Sequence, residues 1–248
     1  MKKRITLFLL LLFISVSLFA GDWIKLPGGG IVDVAVAENG CVAICDKSGV
    51  LYVSKNAGVS WDQIPKVGGV IRISISSDAS VMGIVDKSGK FYVTRDMGSS
   101  WVTSEAGGVV DSSVGKSHVF ITDKAGDVYY STDYKKWTKT NAADAKICIF
   151  GGAFLFISSK NGDTFTADFK NSPLMAYKKT AAGGVVDIDI APNGNLWIAD
   201  KLGELYFSAD KGATWKKEAG VGGIVAVSLC NKYTVIADKS GIAYIKEN

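Results

Sequence analysis

Arginine is almost missing from this 248-residue chain, which contains only Arg4, Arg72 and Arg95. Histidine occurs once, as His118, and none of the four cysteines (Cys41, Cys45, Cys148, Cys230) forms a C-x-x-C pair. These absences remove the zinc patterns. One histidine with no nucleophile motif around it also gives no Ser-His-Asp arrangement, and His118 reads as a turn or strand-edge residue. No cofactor or metal is expected. Long apolar runs are absent too, except for Ile5–Phe19 behind Lys2, Lys3 and Arg4. At about 15 residues that run is short for a membrane span, which needs roughly 20. It predicts a signal peptide over residues 1–20, cleaved after Ala20, with an uncleaved anchor as the alternative. No cysteine sits near the junction, which argues against a lipid anchor. The expected mature chain, 21–248, is exported, periplasmic or secreted, and has no membrane span. Three of the 28 basic residues leave with the leader, so 25 face 24 acidic ones at a net charge of about +1. That balance excludes a nucleic-acid partner.

Glycine, by contrast, is plentiful and regularly placed. The tetrapeptide DKSG stands at Asp46–Gly49, Asp86–Gly89 and Asp238–Gly241, with near-copies DKAG at Asp123, DKLG at Asp200 and SKNG at Ser159. The intervals are 40, 37, 36, 41 and 38 residues. An aromatic follows six residues after each origin, and Trp61, Trp101, Trp137 and Trp215 follow at about fifteen, with Tyr177 in that place in the fourth unit. Gly-Gly pairs open most units. Each unit reads as four short strands without a helical period. A period near 40 with four strands per unit predicts an all-β, six-bladed β-propeller as one domain over 21–248. The last unit stops after its third strand, whereas the segment DWIKLPGGG begins like the end of a unit. Trp23 and its neighbours are therefore expected to supply the missing outer strand of the C-terminal blade and close the ring.

Three third-to-fourth strand links, SKNAGVSW, TRDMGSSW and SADKGATW, resemble the Asp-box or BNR repeat. The whole repeat is similar to the tectonin type of six-bladed propeller, over essentially all of residues 22–248. The tectonin likeness implies carbohydrate binding. Asp-box propellers also include sialidases, whose resemblance implies an arginine triad and a tyrosine nucleophile; Arg72 and Arg95 cannot build that triad. Paired carboxylates for glycoside hydrolysis stay open.

Topology puts all six DKSG-like turns and the Gly-Gly openings on one face, which carries Lys47, Lys87, Lys124, Lys160, Lys201 and Lys239. Either these lysines attract an anionic or polyhydroxyl ligand, or they occupy solvated turn tips while Asp and Gly satisfy the turn. Lysines ~15 Å apart in water repel by only about 0.3 kcal/mol, so the ring needs no bound anion. Just inside the channel mouth, the third residue of each first strand reads Asp33, Arg72, Asp111, Lys146, Asp187 and Ala226, acid alternating with base. That pattern is either a salt-bridged plug or a small polar site, for instance for a cation. Blade four departs most and gathers Phe150, Phe154, Phe156, Phe165 and Phe169, which read as core. Cys41 and Cys45 stand about 13 Å apart along one strand, too far to pair. A Cys41–Cys230 disulfide stays open. The sequence thus predicts an exported, non-catalytic binding module. Glycan recognition leads, with a protein–protein scaffold in the cell envelope as the alternative and a glycosidase behind it.

Overall fold

The computed structural model describes residues 23–151 and 153–248; the proposed leader lies outside them. Six four-stranded antiparallel sheets follow one another around an axis. Blade one comprises Ile31–Val36, Val42–Asp46, Leu51–Ser54 and Asp62–Gln63, and blade two Val70–Ile75, Met82–Asp86, Phe91–Thr94 and Val102–Thr103. Blade three comprises Val109–Val114, Val119–Asp123, Val128–Ser131 and Thr138–Lys139, and blade four Ala145–Gly151, Phe154–Ser159, Asp163–Asp168 and Lys178–Gly183. Blade five comprises Val185–Ile190, Leu196–Asp200, Leu205–Ser208 and Lys216–Lys217. Blade six takes Ile224–Leu229, Tyr233–Asp238 and Ala243–Glu247 from the chain end and Ile24–Lys25 as its outer strand. No helix is present among the described residues.

Closure follows the expected one-plus-three pattern. Ile24 pairs with Ile245 and Lys25 with Tyr244, and the Leu26 N–H donates to the Ala243 carbonyl at 2.8 Å. Trp23, 2% exposed, enters the core between blades five and six. There the Lys246 ammonium lies 4.8 Å from the Trp23 ring and 5.0 Å from the Trp197 ring, and it bonds Glu218 at 2.8 Å. Such a cation between aromatic faces adds to the burial of the indole.

The core is divided. Each joint between neighbouring blades holds its own apolar cluster; Val34 and Ile44 of blade one meet Val235 and Ala243 of blade six, for example. Strand alternation sends successive side chains to opposite sheet faces, and both faces of every blade are covered by a neighbour. The inner strands of blades one and three are therefore buried almost throughout, while that of blade two, Val70–Ile75, is half-buried at most positions. The outer strands are exposed and two residues long, except in blade four, where the outer strand has six. Trp61, Trp101, Trp137 and Trp215 each stand directly before an outer strand, with Trp61 donating to the Gly58 carbonyl at 3.0 Å. All four cysteines are free and buried, Cys41 and Cys230 included.

Candidate functional site

The DKSG turn explains most of its own letters. Asp46 Oδ1 accepts from the N–H groups of Ser48 (2.9 Å) and Val50 (3.0 Å). Asp86, Asp200 and Asp238 repeat the arrangement. Gly49 has φ +83°, and a Cβ there would stand 2.4 Å from the Cα of Gly69 in the next blade. The turn of one blade is thus laid directly on the glycine opening of the next, and the Val70 N–H donates back to the Gly49 carbonyl at 3.1 Å. Only a glycine meets both demands, positive φ and backbone-on-backbone contact.

All six lysines of the turns are exposed. Their backbone N–H groups close the blade, as Lys47 does on the Gly30 carbonyl at 2.8 Å. Some side chains also have local work. The stems of Lys87, Lys201 and Lys239 lie across Gly69, Gly184 and Gly223. The Lys160 ammonium donates to the Ala125 carbonyl at 2.7 Å.

On the axis, Asp33 Oδ2 accepts from the Ile73 N–H at 2.6 Å, Asp111 Oδ2 from the Cys148 N–H at 3.0 Å, and Asp187 Oδ2 from the Val227 N–H at 2.7 Å. Carboxylates of blades one, three and five thus each bind the inner strand of the following blade. Arg72 stands among them, with Nε 3.7 Å from Asp111 Oδ1. Burial pushes Asp33 up to about 7 against the pull of Arg72. Burial likewise raises Asp111 to about 6, again opposed by Arg72, and lifts Asp187 well above the carboxylate range, with Asp33 adding to the rise. Burial works against the charge of Arg72, but Asp33, Asp187 and Asp111 outweigh it and hold the guanidinium charged. The group is a hydrogen-bonded charge cluster, the arrangement in which buried charge is tolerated.

Acid and base do not alternate about this axis. A bulge follows the first residue of every inner strand, so Val109 faces Asp123 and Asp111 faces Thr122. In blade four Ala145 faces Ser159 and Ile147 faces Ser158. Ile147 therefore holds the place of Asp111, and Lys146 sits one residue earlier. The count slipped because Asp144, at φ +57°, stands where other blades have glycine.

Two depressions meet at Arg72. One, about 420 Å³, has Asp33, Asp111 and Asp187 in its wall and reaches His118, Phe150 and Phe169 towards the first-to-second strand turns. His118 Nδ1 lies 2.9 Å from Ser117 Oγ, and its ring packs edge-on to Phe169 at 5.3 Å. Burial lowers its pKa. The blade-four phenylalanines Phe154, Phe156 and Phe169 are buried, and Phe150 and Phe165 are half-buried. Arg95, exposed on a third-to-fourth strand turn, stacks on Tyr134. No group of three metal-ligating side chains is assembled among the described residues.

The second depression, about 560 Å³, opens on the DKSG face. Val32, Val186, Val225 and Lys146, all bulge residues of inner strands, line it together with Leu202 and the turn lysines Lys47, Lys201 and Lys239. Leu202 was visible in the sequence as the odd letter of DKLG. The other five turns have Ser48, Ser88, Ala125, Asn161 and Ser240 there, and Leu202 is 81% exposed.

Comparison with known proteins agrees with the fold. The chloroplastic photosystem II stability/assembly factor HCF136 of Cyanidioschyzon merolae is 24% identical over 208 residues, covering 78% of this chain and 44% of that protein. This chain thus spans less than half the length of that curated relative. The solved structure described as YCF48 bound to D1 peptide superposes with a TM-score of 0.59 at 18% identity, over 87% of this chain and 76% of that one. A gluconolactonase from Xanthomonas campestris superposes with a TM-score of 0.73 at 10% identity, over 91% and 89%; at such identities both structures speak for the fold alone. The model of the family described as photosynthesis system II assembly factor YCF48 matches residues 22–245, the whole ring, and the chain belongs to that family.

Proposed function

We propose that this protein is a non-catalytic propeller that binds a segment of another polypeptide, as an assembly factor does, in an exported compartment. The observation that carries this reading is the family match across the whole ring. The HCF136 relative is described as an assembly factor, and a YCF48 structure is described as peptide-bound. The site chemistry fits. The axial carboxylates are engaged by backbone N–H groups and Arg72, and His118 is bonded by Ser117 and Asn171, with no ion pair to an acid among the described residues. Glycan recognition, which the tectonin likeness implied, draws no support from these relatives. The apolar run of residues 5–19 behind three basic residues supports export. No helix among the described residues is long and apolar enough to cross a membrane.

The test is to screen the purified protein against a peptide library and a glycan array side by side, with glycoside and lactone hydrolysis assays. Saturable binding to peptides alone is expected. Retention on glycans without peptide binding, or turnover of either substrate class, overturns the reading.

A further inference from the structure

Around the DKSG face the six turns are near-copies, so a departure confined to one sector needs a reason outside the repeat. Leu202 is such a departure. Its side chain contributes nothing to the turn, whose bonds are made by Asp200 Oδ1 with the backbone N–H groups of Leu202 and Glu204, both at 2.9 Å. Its side chain stands in solvent beside the second depression, and Val225, 37% exposed, stands there too. Val32 and Val186 are half-buried in the same hollow. Covering such surface is favourable by roughly 25 cal/mol per Å² of apolar area, so the hollow favours an apolar occupant.

The charges around the hollow are predominantly positive. Lys47, Lys146, Lys201 and Lys239 line it and form no ion pair among the described residues. Asp200 and Asp238 also line it, but each has Oδ1 tied to two N–H groups of its own turn. Four lysines thus face two carboxylates, an excess of positive charge at the rim. Arg72, at the base, is held by the axial aspartates. A ligand that fits must be apolar in the middle and anionic at its flanks.

We infer that the sector formed by blades five, six and one on the DKSG face is the docking site for a peptide segment with apolar residues flanked by carboxylates. This rests on the polypeptide-binding role proposed above and adds its location and chemistry. The apolar side chains fill the hollow against Leu202, Val225, Val32 and Val186, and the carboxylates meet Lys47, Lys201 and Lys239. Exposed ion pairs of this kind contribute little each, so apolar burial supplies the affinity and the lysines supply selectivity and association rate. An anionic lipid surface would also meet lysines and a leucine, but the apolar wall here is concave and a bilayer is not.

The experiment uses a fluorescein-labelled heptapeptide with three central leucines and two glutamates on each side. A lysine-flanked version and anionic phosphatidylglycerol vesicles are the controls. The acidic peptide is expected to bind at least about tenfold tighter than the basic one, a difference of about 1.4 kcal/mol, and to weaken with salt. Leu202→Ser and the double variant Lys201→Glu/Lys239→Glu should each weaken it about tenfold, whereas Lys87→Glu/Lys124→Glu on the far side of the ring should leave it within about twofold. All these positions are exposed, so unchanged melting temperatures will confirm intact rings. Peptide binding that ignores both sector variants, or binding of vesicles in its place, overturns this inference while the library screen still upholds polypeptide binding. A protein that fails the library screen as well loses both.

Discussion

The molecule uses aspartate in two ways, and the contrast separates how a blade is built from how blades are joined. Asp46, Asp86, Asp200 and Asp238 sit at the surface and accept N–H groups from their own turns, two or four residues away. Asp96 and Asp210 do the same in third-to-fourth strand turns. Asp33, Asp111 and Asp187 are buried and accept from the next blade, roughly one repeat along the chain. Local bonds set the shape of each unit; bonds between blades set the ring. Water can replace the first kind at little cost, because the turns are solvated. It cannot replace the second, because a buried N–H left alone carries its full desolvation penalty.

The sharpest way to break the contrast is at the closing joint. Trp23→Ala empties a buried site and should destabilise the ring by about 3–5 kcal/mol, read as a large fall in the denaturant midpoint. Next comes Asp33→Ala, which orphans the Ile73 N–H and strips Arg72 of a partner; a loss of about 2–3 kcal/mol is expected. Its surface counterpart Asp46→Ala should cost about 1 kcal/mol or less in the same assay. Equal losses would dissolve the distinction.

Titration gives a smaller and independent handle. Burial raises Asp33 to about 7, Asp111 to about 6 and Asp189 to about 6. The folded state therefore holds protons that the unfolded chain releases. Stability from these groups is full below about pH 4, falls progressively above that, and is wholly lost once pH has risen through 6 to 7. Asp78, Asp96 and Asp210 are lowered to about 2, chiefly by the hydroxyls of Ser80, Ser100 and Thr214. Their contribution is full above about pH 4 and is lost as pH falls through 2. The melting temperature should peak near pH 4 and fall from there to about pH 7, and Asp33→Asn should flatten that descent. A profile that climbs from pH 5 to 8 would contradict the axial assignment. The smallest effect belongs to Lys87→Ala, expected within about 0.5 kcal/mol of the parent, since its side chain is exposed.

What the sequence made legible was what repeats. Blade count, the place of each DKSG turn and the pairing of residues 24–25 with the last strand all follow from spacing, because one unit's constraints are printed six times. The axis was harder to read. Its bonds run between blades, so no single unit contains them, and blade four hid its register behind Asp144 in place of a glycine. Arg72 looked like one base in an alternating ring; only three dimensions place it among three carboxylates. Leu202 was missed for the opposite reason. Its letter was plain, but it serves no spacing that the turns share, and only the fold sets it beside Val186 and Val225.

The clasp also has a meaning in time. Ile24 is synthesised before the inner strand of every blade, yet its partner Ile245 lies in a strand beyond all six inner strands. Until that strand arrives, Trp23 has no face of blade six to pack on, and the first-made segment must wait through the formation of the whole ring. Pairing over so long a separation forms slowly. A chain of this design stays an open arc until Ala243–Glu247 is in place, and only then becomes a closed ring.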